Sequence, residues 1–214
     1  MISIPRLRIF GTRTSDLLYK RSISAQIRTK TMSKTISQPL VWIDCEMTGL
    51  DVFNDNIIEI CCIITDGKLQ PLDIEPYEST VYVSKEKLDK MDQWCQSHHG
   101  QSGLIDKVLA NKDRTLAVVE QELYDYISSH IPQKTGLLAG NSVHMDKFFM
   151  IREFPKVIDY LHYRIVDVSS LREIGVRHNP EVAHKLPPKI GAHTAKSDIL
   201  ESIAQLKWYN ENLL

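Results

Sequence analysis

Long apolar runs are missing from this 214-residue chain. No stretch approaches the roughly eighteen residues that a membrane-crossing helix needs, so no membrane partner is expected. Cysteine is scarce as well. Cys45, Cys61, Cys62 and Cys95 form no CxxC pair and all lie in apolar stretches. That argues against a disulfide scaffold and for a reducing compartment. Internal repeats and low-complexity segments are lacking too. Acids are nearly absent from residues 1–36, where eight Lys and Arg face the single Asp16, a net of +7. Rich in Arg, Ser and Thr, this stretch has the composition of a mitochondrial transit peptide. The plainer alternative is a disordered basic tail that touches nucleic acid or nothing. Met32 could start a shorter form that stays in the cytosol or nucleus.

The whole chain carries −1, which leaves −8 for residues 37–214. A basic stripe for gripping long nucleic acid is therefore missing from the part expected to fold. A short anionic substrate, held by a few placed groups, suits it better.

Apolar patterning predicts one domain over 37–214. Strands are expected at 38–44, 57–65, 80–84, 137–141 and 163–168. Helices are expected at 85–98, 103–110, 115–130, 145–154, 157–162, 170–177 and 194–213. The proline-bearing 179–190 reads as a loop. The first three strands fit an antiparallel meander because their connections are short. The order β-β-β-α-β-α-β-α implies an α/β fold, a mixed sheet with helices on its faces.

Four acids stand out in apolar surroundings: Asp44, Glu46, Asp146 and Asp198. Such burial is costly unless something positive offsets it. Asp44 and Glu46 are two apart on an expected strand, so they share a face. Side by side they repel, and a divalent ion reverses that. Asp146 follows a strand end, where sites gather in open α/β sheets. Asp198 lies five residues beyond His193, whose pKa range suits proton transfer near neutrality.

These residues sit in WIDCEMTGLD, MDQWCQSHHGQSGL, GNSVHMDKFF, HYRIVDVSSL and HTAKSDI. In order, spacing and flanks the segments resemble the oligoribonuclease family, DEDD-type 3′→5′ exonucleases of the histidine variant. The resemblance spans roughly residues 38–212. It implies a ribonuclease-H-like fold with a five-stranded mixed sheet, and a homodimer. It implies two divalent ions, Mg²⁺ or Mn²⁺, held by Asp44, Glu46, Asp146 and Asp198, with His193 as general base. Leu50 and Trp94 would wedge and stack the bases of a dinucleotide. His99 would stand at its 3′ side. Ser142, Arg164 and Ser169 would cap the 5′ phosphate, and Tyr163 would come from the opposite subunit. His144, Met145, Lys196 and Ser197 depart from bacterial patterns without removing a motif residue.

The implied activity is hydrolysis of very short single-stranded RNA, especially dinucleotides, to 5′-mononucleotides in the mitochondrial matrix. A DNA 3′→5′ exonuclease with the same centre is one alternative. A non-catalytic oligonucleotide-binding subunit is another, and loss of an acid or of His193 would be its mark.

Overall fold

The computed structural model describes residues 36–188 and 194–213. The expected extension over 1–36, apart from its last residue, and His193 lie outside the described residues. Five strands form one mixed sheet: β1 (Leu40–Met47), β2 (Ile57–Thr65), β3 (Tyr77–Thr80), β4 (Leu137–Gly140) and β5 (His162–Asp167). Their spatial order is β3-β2-β1-β4-β5. β1, β2 and β3 pair antiparallel, whereas β4 runs parallel to both β1 and β5.

The helices among the described residues are α1 (Lys85–Leu88), α2 (Gln93–Gln101), α3 (Leu104–Ala110), α4 (Leu116–His130) and α5 (Val143–Glu153). Then come α6 (Pro155–Tyr160), α7 (Val168–His178), α8 (Pro180–Ala183) and α9 (Ala195–Asn212). The central strand β1 is covered on both faces. Val41, Ile43 and Cys45 pack into one cluster with Val119, Leu123 and Ile127 of α4 and Phe149 of α5. Leu40 and Trp42 pack into another with Ile199, Ile203 and Tyr209 of α9. Period two along a strand therefore aims Asp44 and Glu46 toward α9. All four cysteines are buried thiols, in keeping with the expectation of no disulfide. No described helix is long and apolar enough to cross a membrane.

Several boundaries differ from the sequence expectation for local reasons. The third strand is Tyr77–Thr80, not 80–84. β2 pairs with it only from Glu59 to Cys62, and Tyr82 N–H then turns to the Arg114 carbonyl at 2.8 Å. The helix expected over 85–98 is two helices, because Asp92 accepts from Cys95 N–H at 2.7 Å and starts α2 afresh. Pro155 ends α5 but also opens α6, as suits a residue without an N–H at a first helical position. The loop expected over 179–190 contains the short α8.

Candidate active site

β1 delivers the first two acids to the end of the sheet. Its pairing with β2 shifts register between Glu46 and Met47, a bulge that turns the strand end where the carboxylates stand. α9 delivers Asp198 from its first turn. Thr194 and Ser197 close a reciprocal capping box at that helix start. Lys196 pairs with Glu78 at 2.7 Å, and Glu59 accepts from the Ala195 N–H. Asn141, just past β4, donates to Ser202 and Gln205 at 2.8 Å each. Held from both sides, α9 brings Asp198 to β1. One carboxylate oxygen each from Asp44, Glu46 and Asp198 lies within 4.8 Å of the others.

Asp146 enters differently. The β1–β4 ladder ends at Trp42 and Ala139. Beyond it, the Cys45 N–H donates to Asp146 Oδ1 at 2.9 Å. Asp146 is therefore buried behind the strand, with one oxygen engaged by backbone. Its charge still reaches the triad and helps to raise the Glu46 pKa.

The electrostatics ask for a cation. Burial pushes Glu46 up to about 7, and the charges of Glu59, Asp198 and Asp146 push the same way. Burial also lifts Asp146 to about 7 against the opposing pull of the Cys45 amide. Hard carboxylate oxygens converging in a poorly solvated place suit a divalent ion. Without metal, both folded-state pKa values lie above their unfolded values. The stability contribution of each group is then full below about pH 4 and is lost as pH rises through about 7. Allowing for the partial exposure of Glu46, each should cost about 1 kcal/mol between pH 6 and 8. In chelator the melting temperature should fall by about 4–6 °C over that range. Mn²⁺ or Mg²⁺ should restore it at pH 8, and Glu46→Gln should shrink the fall. A melting temperature that rises with pH, or ignores the substitution, contradicts this account.

Beside the acids lies a cavity of about 490 Å³ lined by Glu46, Met47, Leu50, Asp92, Trp94 and His99 among others. Leu50 is 75% exposed and Trp94 66%. Trp94 is thus no core residue; it stacks on His98 with ring centroids 4.7 Å apart and planes 9° from parallel. His99 is buried in the floor, its Nε2 2.9 Å from the Met47 carbonyl. A carbonyl only accepts, so Nε2 carries the proton and Nδ1 is an acceptor. Nδ1 has no hydrogen-bond partner among the described residues. Burial lowers the pKa of this ring.

Ser142 and Ser169 come together at the ends of β4 and β5. Ser142 N–H donates to Ser169 Oγ at 2.7 Å and to Asp167 Oδ1 at 3.0 Å. The two hydroxyls are 3.0 Å apart. Ser142 holds φ at +52° to do this, an uncommon conformation for a residue with a side chain. Tyr163 and Arg164 do not join them. β5 pairs His162 with Leu137 and Ile165 with Leu138, so both intervening residues bulge from the ladder and are exposed. Arg164 lies over the Tyr163 ring at 5.5 Å, and no hydrogen bond links it to Ser142 or Ser169.

Sequence reasoning passed over two acids here. Glu59 faces Glu46 across the β1–β2 ladder; a carboxylate inside the apolar run IIEICCII was the available sign. Asp167 accepts from Ser142 N–H and Ser169 N–H and meets His144 Nδ1 at 2.8 Å. An acid directly before Val168-Ser169-Ser170, in a capping position, was its sign.

An exonuclease family model matches residues 41–206. The mitochondrial oligoribonuclease of Saccharomyces cerevisiae is 55% identical over 92% of this chain and 80% of its own length. That of Mus musculus is 39% identical over 90% and 81%. Among solved structures, an exonuclease I from Methylocaldum szegediense superposes with a TM-score of 0.62 at 16% identity, over 82% of this chain. The chain spans 41% of that protein. At such identity the likeness speaks for the fold alone.

Proposed function

Since the chain belongs to the oligoribonuclease family of exonucleases, we propose that it hydrolyses short RNA from the 3′ end to 5′-mononucleotides in mitochondria. It is a hydrolytic nuclease that uses divalent metal; Mg²⁺ or Mn²⁺ is the proposed pair of ions. One observation carries the reading of the site. Glu46 of the acidic triad lines the same cavity as Leu50 and Trp94, so a metal-binding group and two apolar surfaces for bases share one cleft.

Asp44, Glu46, Asp146 and Asp198 would hold the ions, with Asp146 also anchoring β1 through the Cys45 N–H. When bound, the ions supply Lewis-acid activation of water and neutralise charge developing at the scissile phosphate. His193 takes the proton of the attacking water. Attack on phosphorus breaks the bond to the 3′-oxygen and leaves the phosphate on the released nucleotide. Leu50 enters between the two bases and Trp94 stacks on one of them, a contact indifferent to base identity. His99 stands in the cleft floor at the 3′ side. Ser142 and Ser169 meet the 5′ phosphate through their hydroxyls, and Arg164 completes the cap by turning from the Tyr163 ring toward the phosphate. A closed cap at that end leaves no path for a third nucleotide.

A homodimer is part of this proposal, with Tyr163 reaching the opposite site. Phe148 and Ile151 expose apolar surface on α5 beside the Tyr163 bulge, and Lys147 Nζ ties that helix to the Tyr163 carbonyl at 2.9 Å. An import presequence within residues 1–36, from their basic composition, and a shorter form begun at Met32 are part of the same proposal.

The test is a time course on 5′-labelled RNAs of two to ten nucleotides, in Mg²⁺ and in chelator. Dinucleotides should disappear fastest, and only with metal. Their accumulation as end products would overturn the cap; activity in chelator would overturn the metal centre.

A further inference from the structure

Leu50 stands on the β1–β2 loop, residues 48–56, and an apolar residue so exposed gets no hold from core packing. The loop first closes on itself. Thr48 N–H donates to the Asn56 carbonyl at 2.9 Å, and Asn56 N–H to Thr48 Oγ1 at 3.0 Å. Asp55 accepts from Thr48 Oγ1 at 2.9 Å and from Asp51 N–H at 3.0 Å. A Cβ at Gly49 would lie 2.4 Å from Asp55 Oδ2, so only glycine admits this ring. These bonds shape the loop but do not say where it stands over the acids.

Its position comes from the last turn of α5. Glu153, 4% exposed, accepts from Asn56 Nδ2 at 2.6 Å and from Ile57 N–H at 2.9 Å. Arg152 donates to the Val52 and Asp55 carbonyls and to Glu153, and lies over the Phe149 ring at 5.6 Å. Two adjacent residues of one helix thus grip the loop at three points and the first residue of β2 at a fourth. Glu153 is buried but Arg152 is exposed; an ion pair open to solvent adds little stability, and fixing register is the best-attested use of a buried charge.

The same helix carries Asp146, seven residues earlier, which is about 10 Å along a rigid rod. At one end α5 is locked to β1 through Asp146 and Cys45 N–H; at the other it is locked to the wedge loop. We propose that Arg152 and Glu153 are positioning residues that set the distance between the acidic centre and Leu50, and so determine preference for two stacked bases. This rests on the reading of Leu50 as the residue between those bases. A misplacement of about 1 Å far from the chemistry can cost up to about 10²-fold, so the register matters.

The experiment compares two substrates, a 5′-phosphorylated RNA dinucleotide and the p-nitrophenyl ester of a nucleoside 5′-phosphate, which has no second base. Arg152→Ala should raise KM for the dinucleotide about tenfold while kcat/KM for the ester stays within about twofold. Arg152→Lys, able to reach one carbonyl, should recover part of the loss. Amide exchange should quicken in residues 50–56 and not in β1. In a Leu50→Ala background, Arg152→Ala should add little, because both act through one contact. Equal losses on both substrates, or additive losses in the double variant, overturn the proposal. If Leu50→Ala raises the dinucleotide KM and Arg152→Ala does not, the clamp fails alone. If Leu50→Ala binds the dinucleotide like the unaltered protein, the wedge reading fails and the clamp's role falls with it.

Discussion

Asp44→Asn is expected to lower kcat on an RNA dinucleotide by about 10³-fold or more. The amide keeps the size of the carboxylate but removes one of three charges that converge within 4.8 Å. Metal activation contributes several kcal/mol to such reactions, and about 1.4 kcal/mol corresponds to tenfold in rate. The fold should survive, because the amide fills the same space as the carboxylate. Two measurements separate chemistry from folding. Single-turnover rates in Mg²⁺ report the loss, and the melting shift on adding Mn²⁺ reports occupancy. The variant should remain folded in chelator and gain less from the ion. Normal turnover in Mg²⁺ would remove Asp44 from the metal centre.

His193→Ala should lower kcat by about 10²–10⁴, the usual span for a positioned general base. His193 adjoins Thr194, the N-cap of α9, and Asp198 follows within the first turn of that helix. On the proposed roles, the base and one metal ligand lie five residues apart in the chain. Binding of the dinucleotide in Ca²⁺ should change little, which places the loss in the chemical step. The acid limb of the kcat profile should flatten, because the group that must be unprotonated is gone. An unchanged kcat would take the role from this residue.

The site was legible in the sequence to uneven depth. The same-face pairing of Asp44 and Glu46 followed from strand period alone, and β1 bears it out. The β2 strand, 57–65, was readable to the residue because it is a continuous apolar run bounded by Asn56 and Asp66. The third strand and the helix at 85–98 were not, since their limits depend on partners distant in sequence: a ladder that stops at Cys62, and Asp92 taking up the Cys95 amide. Trp94 was expected from the family resemblance to stack on a base; its exposure and its stacking on His98 are placements that residue type alone does not give. The bulge at Tyr163 and Arg164 had no local signature, because it arises from the register between β4 and β5.

What the sequence by itself determined is the chemistry. Carboxylates and a histidine at these spacings, in these flanking motifs, name a reaction class, because metal ligation and proton transfer depend on side-chain type. What only the tertiary structure decided is arrangement. Asp44, Glu46 and Asp198 converge at the end of β1, Asp146 takes up the Cys45 amide behind it, and α5 links that strand to the loop bearing Leu50. Those outcomes depend on which backbone amides the sheet leaves unpaired and which buried charges must find them, and no local stretch of sequence encodes either.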